Sequence, residues 1–135
     1  MKYVLSVVFN REETVVLMCM HSVLNAMDFV CGKVEQYELE MSASYRELEE
    51  ETGITNEDIE LHFVGRDEVN SVLLGKFSLY VTTGRLMRDV DLVAEKNQLF
   101  WIPVDNPSVF LNAYGYGSCY MYLKESWSLL HRGAI

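Results

Sequence analysis

The segment RELEEETGI, residues 46–54, spaces its glutamates so that a helix would bring three carboxylates onto one face. At about 100° per residue, Glu47, Glu50 and Glu51 share an arc of about 100°. Like charges at these spacings each cost on the order of 0.2–0.5 kcal/mol on an exposed helix. Mg²⁺ takes such oxygen ligands and pairs with phosphates. The spacing therefore indicates a divalent-metal site, although the glutamates on their own would also suit a solvated charged face.

The same helix has an apolar side and a solvated side. Met41, Tyr45 and Leu48 fall together on the helical wheel, which predicts that they contact the core. Glu49 falls on the opposite side and is expected in solvent. Gly53 follows as a residue that can terminate the helix.

The composition indicates a single folded domain over residues 1–135. Half of the 135 residues are hydrophobic, and the formal net charge is −9. An acidic surface disfavours long nucleic acids and anionic membranes as partners. The three cysteines are odd in number and match no zinc spacing, which predicts a reducing, cytoplasmic location.

The elements that must position the acidic helix are strands before and after it. YVLSVVF and TVVLMCMH, separated by polar residues, predict a hairpin. Further strands are predicted at IELHFVGRDEV, SVLLGKFSLYVTTG and QLFWIPVD, and a last helix at CYMYLKESWSLLHR. This order predicts an α/β fold with a mixed sheet and helices packed on it.

Residues 32–54 resemble the signature of the Nudix hydrolases (MutT-like), G-x5-E-x7-R-E-U-x-E-E-x-G-U, where U is a bulky aliphatic residue. All nine specified positions match: Gly32, Glu38, Arg46, Glu47, Leu48, Glu50, Glu51, Gly53 and Ile54. The resemblance implies an α/β/α Nudix-type sandwich. It also implies hydrolysis of a nucleoside diphosphate linked to another group.

The resemblance assigns roles to the matched residues. Glu47, Glu50 and Glu51 would bind Mg²⁺ or Mn²⁺, which would neutralise phosphate oxygens and lower the pKa of the attacking water. Arg46 and Glu38 would pair and orient Glu47. The structural glycines Gly32 and Gly53 would supply backbone conformations that a side chain hinders.

Two further positions outside these matches are candidates for the catalytic site. Glu95 precedes the strand that contains Trp101 and would be a metal ligand or general base, as in MutT-like relatives; its alternative is an ordinary loop acid. Whether Glu47 or Glu95 is the base stays open.

Val30 and Cys31 replace the usual Pro-Gly before the signature, and the carbonyl of Cys31 is a metal ligand in some relatives. The Cys31 side chain itself is expected to pack as a small residue.

Substrate contacts are expected from Lys33 and His21, near the phosphates, and from the aromatic loop with Tyr114 and Tyr116. Each has a purely structural alternative, such as a solvated lysine or tyrosines that cover the core edge. Markers of ADP-ribose, diadenosine polyphosphate and NADH hydrolases are missing around Asn70. By elimination, a small nucleoside triphosphate is the expected substrate.

Two other functions stay open at this point. One is a non-catalytic Nudix-fold module that binds a nucleotide. The other is a hydrolase for a nucleotide sugar, another dinucleotide or a capped RNA end. Because many members of the family dimerise, a homodimer is open as well.

Overall fold

The structure is a computed structural model that describes residues 1–21, 26–71, 75–94, 97–106 and 118–132. Its elements are β1 (Lys2–Phe9), β2 (Val15–His21), β3 (Ala26–Asp28), β4 (Val30–Lys33), α1 (Glu40–Thr52), β5 (His62–Ser71), β6 (Gly75–Arg85), β7 (Gln98–Pro103) and α2 (Ser118–Arg132). Within these ranges, neither helix has the length and apolar character needed to cross a membrane.

The predicted hairpin forms from β1 and β2, which pair antiparallel at Phe9 and Val16. The Asn10 side chain closes the turn, since its Oδ1 accepts the backbone N–H of Thr14 at 2.8 Å and of Val15 at 3.1 Å. An asparagine oxygen is well suited to satisfy turn amides in this way.

The strands form one seven-stranded mixed sheet with the order β3-β2-β1-β6-β5. β1 and β6 are parallel, and the other pairs are antiparallel. β4 pairs with the first half of β1, and β7 pairs with β2. All five predicted strands are confirmed. The two short strands β3 and β4 were not predicted.

The two helices pack on opposite faces of this sheet because side chains alternate along β1. Val7 and Phe9 belong to a core cluster with Tyr122 of α2, whereas Val8 belongs to a second cluster with Leu48 of α1. The predicted α/β/α arrangement is therefore confirmed, and the acidic helix forms one of its outer layers.

Helix α1 has the predicted apolar stripe. Leu48 is fully buried, and Met41 and Tyr45 are partly buried against the same cluster. Glu49 is exposed, as expected. The helix ends at Gly53, whose φ of 81° is left-handed and whose N–H donates to the Glu49 carbonyl at 2.9 Å. Such an end favours glycine because it carries no β-carbon.

Candidate active site

Arg46 ties the loop before α1 to the helix through a two-pronged contact with Glu38. Its Nε donates to Glu38 Oε2 at 2.7 Å, and its Nη2 donates to Oε1 at 2.9 Å. Nη2 also donates to the Lys33 carbonyl at 2.9 Å, at the end of β4. The backbone N–H of Glu35 adds a bond to Glu38 Oε1 at 3.0 Å. Bidentate charge-assisted pairs are geometrically specific, so this contact sets the position of the loop.

The same guanidinium also binds two of the predicted metal ligands. Arg46 Nη1 donates to Glu47 Oε1 at 3.0 Å and to Glu50 Oε2 at 3.2 Å. One cation therefore links the carboxylate that holds the loop with two carboxylates of the acidic face. It offsets part of the repulsion that the spacing of the glutamates predicts.

Glu47 lies against β4, directly over Gly32. A β-carbon built on Gly32 would overlap the Glu47 carboxyl group. Ala43, one helical turn earlier, is fully buried, so this side of α1 rests on the sheet. The Glu47 side chain is only 14% exposed. The acidic face is thus partly enclosed.

This contact corrects the reason expected for one of the two structural glycines. Gly53 has the left-handed φ predicted for it, but the φ of Gly32 is not positive. Gly32 lies in the extended strand β4, a conformation open to any residue. Its lack of a side chain matters because the Glu47 carboxylate occupies the space beside it.

The charges in this cluster are shifted by their surroundings. The Arg46 hydrogen bonds lower the pKa of Glu38 to about 2. The same hydrogen bonds to Glu38 raise the pKa of Arg46 above its already high ordinary value. Burial raises the pKa of Glu47, and this effect outweighs the opposing influence of Arg46. Glu38 and Arg46 are consequently a permanent ion pair at neutral pH.

Cys31 precedes Gly32 in β4, and its side chain packs on the α2 side of the sheet, against the core cluster there. Burial raises the pKa of its thiol well above the ordinary value. Burial likewise raises the pKa of Cys19 to about 12. Neither cysteine is a thiolate at neutral pH, so neither has the reactive form of a nucleophile. The suggested metal contact of the Cys31 carbonyl remains a prediction.

The other predicted site residues are placed only in part. Glu50 is 55% exposed and Glu51 is half-buried, both in the last turns of α1. Lys33 is exposed at the end of β4. His21 ends β2, but the description does not extend to its side chain. Glu95, Tyr114 and Tyr116 lie outside the described residues.

Comparison with known proteins identifies this arrangement. The family model described as "NUDIX domain" matches residues 1–112, most of the chain. The chain belongs to the Nudix hydrolase family. This family comprises enzymes that act on phosphoric anhydride bonds. No curated protein matches the chain.

Solved structures share the fold of this Nudix chain at low sequence identity. An Ap4A hydrolase of C. elegans in a binary complex has a TM-score of 0.80 and 19% identity, covering 97% of this chain and 98% of that chain. The dihydroneopterin triphosphate pyrophosphohydrolase of E. coli has a TM-score of 0.77 and 19% identity, covering 92% of each chain. The MutT protein of Methanosarcina mazei Go1 has a TM-score of 0.73 and 20% identity, covering 95% of this chain and 94% of that chain. These likenesses establish the fold.

The carboxylates of this Nudix domain fit a hard divalent cation by their chemistry. Within the part of the chain that the structure describes, no three acidic, histidine or cysteine side chains converge as a metal-holding group. Arg46 instead holds Glu47 Oε1 and Glu50 Oε2. The second oxygen of Glu47, Oε2, faces Gly32 and receives no Arg46 bond. Glu50 and Glu51 are less enclosed than Glu47, and carboxylate oxygens of this kind are the ligands that Mg²⁺ takes.

Two residues near this site were missed by sequence reasoning. Glu35 bonds Glu38 through its backbone, and its carboxylate lies 3.7 Å from Arg46. Asp28, opposite Cys19 in the pairing of β2 and β3, acts on the pKa of both Cys19 and Cys31. Only the extra acid before Glu38 could have pointed to Glu35. Nothing in the residue pattern marks Asp28, because β3 is three residues long.

The site is also distinct from a large surface depression in the described part of the structure. That depression has a volume of about 750 Å³ and lies between the start of β5, the end of β6 and the end of α2. Its lining includes His62, Phe63 and Arg85 but none of the carboxylates of the acidic face. The chemistry of the carboxylates therefore identifies the candidate site better than the shape of the surface does.

Proposed function

We propose that this protein is a divalent-metal-dependent pyrophosphohydrolase whose substrate is a small nucleoside triphosphate. The observation that carries the proposal is the Arg46 network. One guanidinium joins Glu38 to Glu47 and Glu50, and Glu47 rests over Gly32. Carboxylates held this close together repel one another and destabilise the folded protein unless a further cation binds between them. This supports a metal site over a solvated charged face.

In the proposed reaction, Glu47, Glu50 and Glu51 hold Mg²⁺ or Mn²⁺. When bound, the metal supplies charge neutralisation of phosphate oxygens and a lower pKa for the attacking water. The chain contributes the rest by position. Arg46 and Gly32 fix the Glu47 carboxylate, and Lys33 offers an exposed cation to the phosphate chain. The general base remains either Glu47 or Glu95.

The substrate class rests on elimination and on charge. A protein of net charge −9 repels a polyphosphate over most of its surface, so binding depends on the metal and on a few cations such as Lys33. Small triphosphates need few contacts of this kind, whereas a long RNA needs a basic stripe. The proposal also places the reaction in a reducing compartment, where Cys19 and Cys31 stay unpaired.

The test is a screen for release of phosphate and pyrophosphate with Mg²⁺, with Mn²⁺ and with EDTA. The panel contains nucleoside triphosphates, damaged deoxynucleoside triphosphates, ADP-ribose, dinucleoside polyphosphates and nucleotide sugars. Metal-dependent hydrolysis of triphosphates supports the proposal in full. If only another class of compound in the panel is hydrolysed, that class replaces triphosphates as the proposed substrate. Silence over the panel, with folded protein, favours a nucleotide-binding module instead.

A further inference from the structure

Two residues other than glycine have a positive φ in the described ranges, and they differ in what holds them there. Glu13, with φ 59°, lies in the turn between β1 and β2. Its carboxylate binds Arg85 Nη1 at 3.1 Å and His131 Nε2 at 2.9 Å. These contacts join the turn to β6 and α2 and offset the unfavourable backbone conformation of Glu13.

Tyr37 lies in a turn that is closed through the backbone, where the N–H of Glu38 donates to the Glu35 carbonyl at 3.1 Å, but its side chain has no contact comparable to those of Glu13. Its φ is 66°, in the left-handed region that disfavours residues with a β-carbon. Its side chain is 97% exposed, so the ring packs against almost nothing. A large aromatic residue is thus held in a costly conformation and gives its apolar surface to water. A strained residue whose side chain adds no packing is often one that is kept for function.

The position of Tyr37 relative to the acidic site is set by its neighbours. Glu38 follows directly and is held by Arg46, the same side chain that binds Glu47 and Glu50. Lys33, also exposed, stands at the start of the same loop, and its carbonyl is bound by Arg46. Lys33 and Tyr37 are therefore both exposed on one loop, and Arg46 holds that loop next to Glu47 and Glu50.

We infer that Tyr37 is a specificity-determining residue that stacks on the planar ring of the nucleotide, while Lys33 and the carboxylate site receive its phosphates. The inference rests on the proposed function for its ligand class. Aromatic rings stack on any base, because every base has a π-face. Tyr37 consequently selects for a ring attached to the phosphate chain and discriminates little between bases.

Leu39 provides a matched control in the same loop. It is 76% exposed, and its φ of −72° is ordinary. An apolar patch that docks a protein partner would use Leu39 together with Tyr37. A stacking contact uses the aromatic ring alone, so the two substitutions separate these roles.

The experiment measures binding of α,β-methylene ATP and α,β-methylene GTP by titration calorimetry with Mg²⁺. Methylenediphosphonate serves as the probe that has a phosphorus chain and no ring. The proteins are wild type, Tyr37→Ala, Tyr37→Phe and Leu39→Ala. We expect Tyr37→Ala to raise the Kd of both nucleotide analogues by about fivefold to a hundredfold, the range for loss of one stacked base. Tyr37→Phe and Leu39→Ala stay within about twofold of wild type, and the Kd of methylenediphosphonate does not change.

Other outcomes overturn the inference. These are an unchanged Kd in Tyr37→Ala, an equal loss in Leu39→Ala, an equal loss for methylenediphosphonate, or no binding of either nucleotide by wild type. The proposed function is judged separately by the hydrolysis screen. Ring-dependent binding without hydrolysis would leave the inference standing and remove the reaction. Hydrolysis by the wild-type protein, together with normal nucleotide binding by Tyr37→Ala, would support the reaction and remove the inference about Tyr37.

Discussion

Gly32 and Glu47 share one space: the carboxyl group of Glu47 lies where a side chain at position 32 would be. This relationship connects the first glycine of the signature with the first glutamate of its acidic group. It explains why the close approach of α1 to β4 requires glycine in an otherwise ordinary strand. The site thus depends on a packing contact as much as on the carboxylates themselves.

The first prediction concerns this contact. Gly32→Ala should displace the Glu47 carboxylate and lower kcat by about a hundredfold, since a misplacement near 1 Å can have that effect. The fold should persist, because the neighbour that must move is the end of a flexible side chain. Steady-state kinetics and thermal unfolding of the same preparations measure both quantities.

Gly65→Ala is the control for Gly32→Ala. A β-carbon at Gly65, in β5, meets nothing within 4 Å, so this substitution should leave kcat unchanged. An active Gly32→Ala enzyme with normal kcat would show that Glu47 does not need its present position.

The second prediction separates the three neighbouring glutamates of α1. Glu50→Gln and Glu51→Gln should each reduce kcat by orders of magnitude, because they remove charge from the proposed metal site. Glu49→Gln removes the same charge from the exposed side of the helix and should leave kcat within about twofold. Kinetics at saturating Mg²⁺ measure the effect. Equal losses in all three variants would indicate a general charge effect and not a site.

The third prediction follows from the pKa of Glu38, which Arg46 lowers from 4.5 to about 2. A lowered pKa contributes stability above the unfolded value and loses it as the pH falls toward the folded value. Glu38→Gln should therefore lower the free energy of unfolding by about 1.5–3 kcal/mol at neutral pH, the range for hydrogen bonds to a charged group. The difference from wild type should shrink as the pH falls below about 4.5.

Denaturant unfolding at several pH values between 2.5 and 7 measures this dependence. Glu35→Gln is the control, because the Glu35 carboxylate is 68% exposed and lies 3.7 Å from Arg46. Exposed pairs contribute little, so its effect should be within about 1 kcal/mol at every pH. A pH-independent difference for Glu38→Gln would contradict the assigned ion pair.

Much of the fold was predictable because long apolar runs carry a clear local pattern. β1 and β6 are long and rich in β-branched residues, and Leu48 marks the buried side of α1 by its spacing. β3 and β4 have three and four residues, too few for a pattern to be read. They form because β1 and β2 offer edges for pairing, which is a tertiary effect.

The sequence indicates which residues form the candidate site, but it does not show that the sheet partly encloses them. The helical wheel separates the acidic arc from the apolar stripe, yet Ala43 and Glu47 lie one turn apart and both face the sheet. A wheel gives angles around one helix and contains no information about the strand beneath it. The Arg46–Glu38 pair was implied by the resemblance, and the contact of Arg46 with Glu50 follows from their spacing on the helix. The bond of Arg46 to the Lys33 carbonyl, which joins the helix to β4, could not be read from the sequence.

The fourth prediction tests metal binding without a substrate. Mg²⁺ should raise the apparent Tm of the wild-type protein, because a ligand that binds only the native state stabilises it by about 2.7 kcal/mol at a hundred times its Kd. Glu51→Gln should weaken this shift strongly, since it removes a proposed ligand. Glu49→Gln should keep the shift, because its carboxylate faces solvent. Differential scanning fluorimetry over a series of Mg²⁺ concentrations, with EDTA as the zero point, gives the values.

A wild-type Tm that does not move at millimolar Mg²⁺ would mean that the carboxylates do not bind the cation until a polyphosphate arrives with it. In that case the same titration with methylenediphosphonate present should restore the shift, and its absence there as well would remove the metal site.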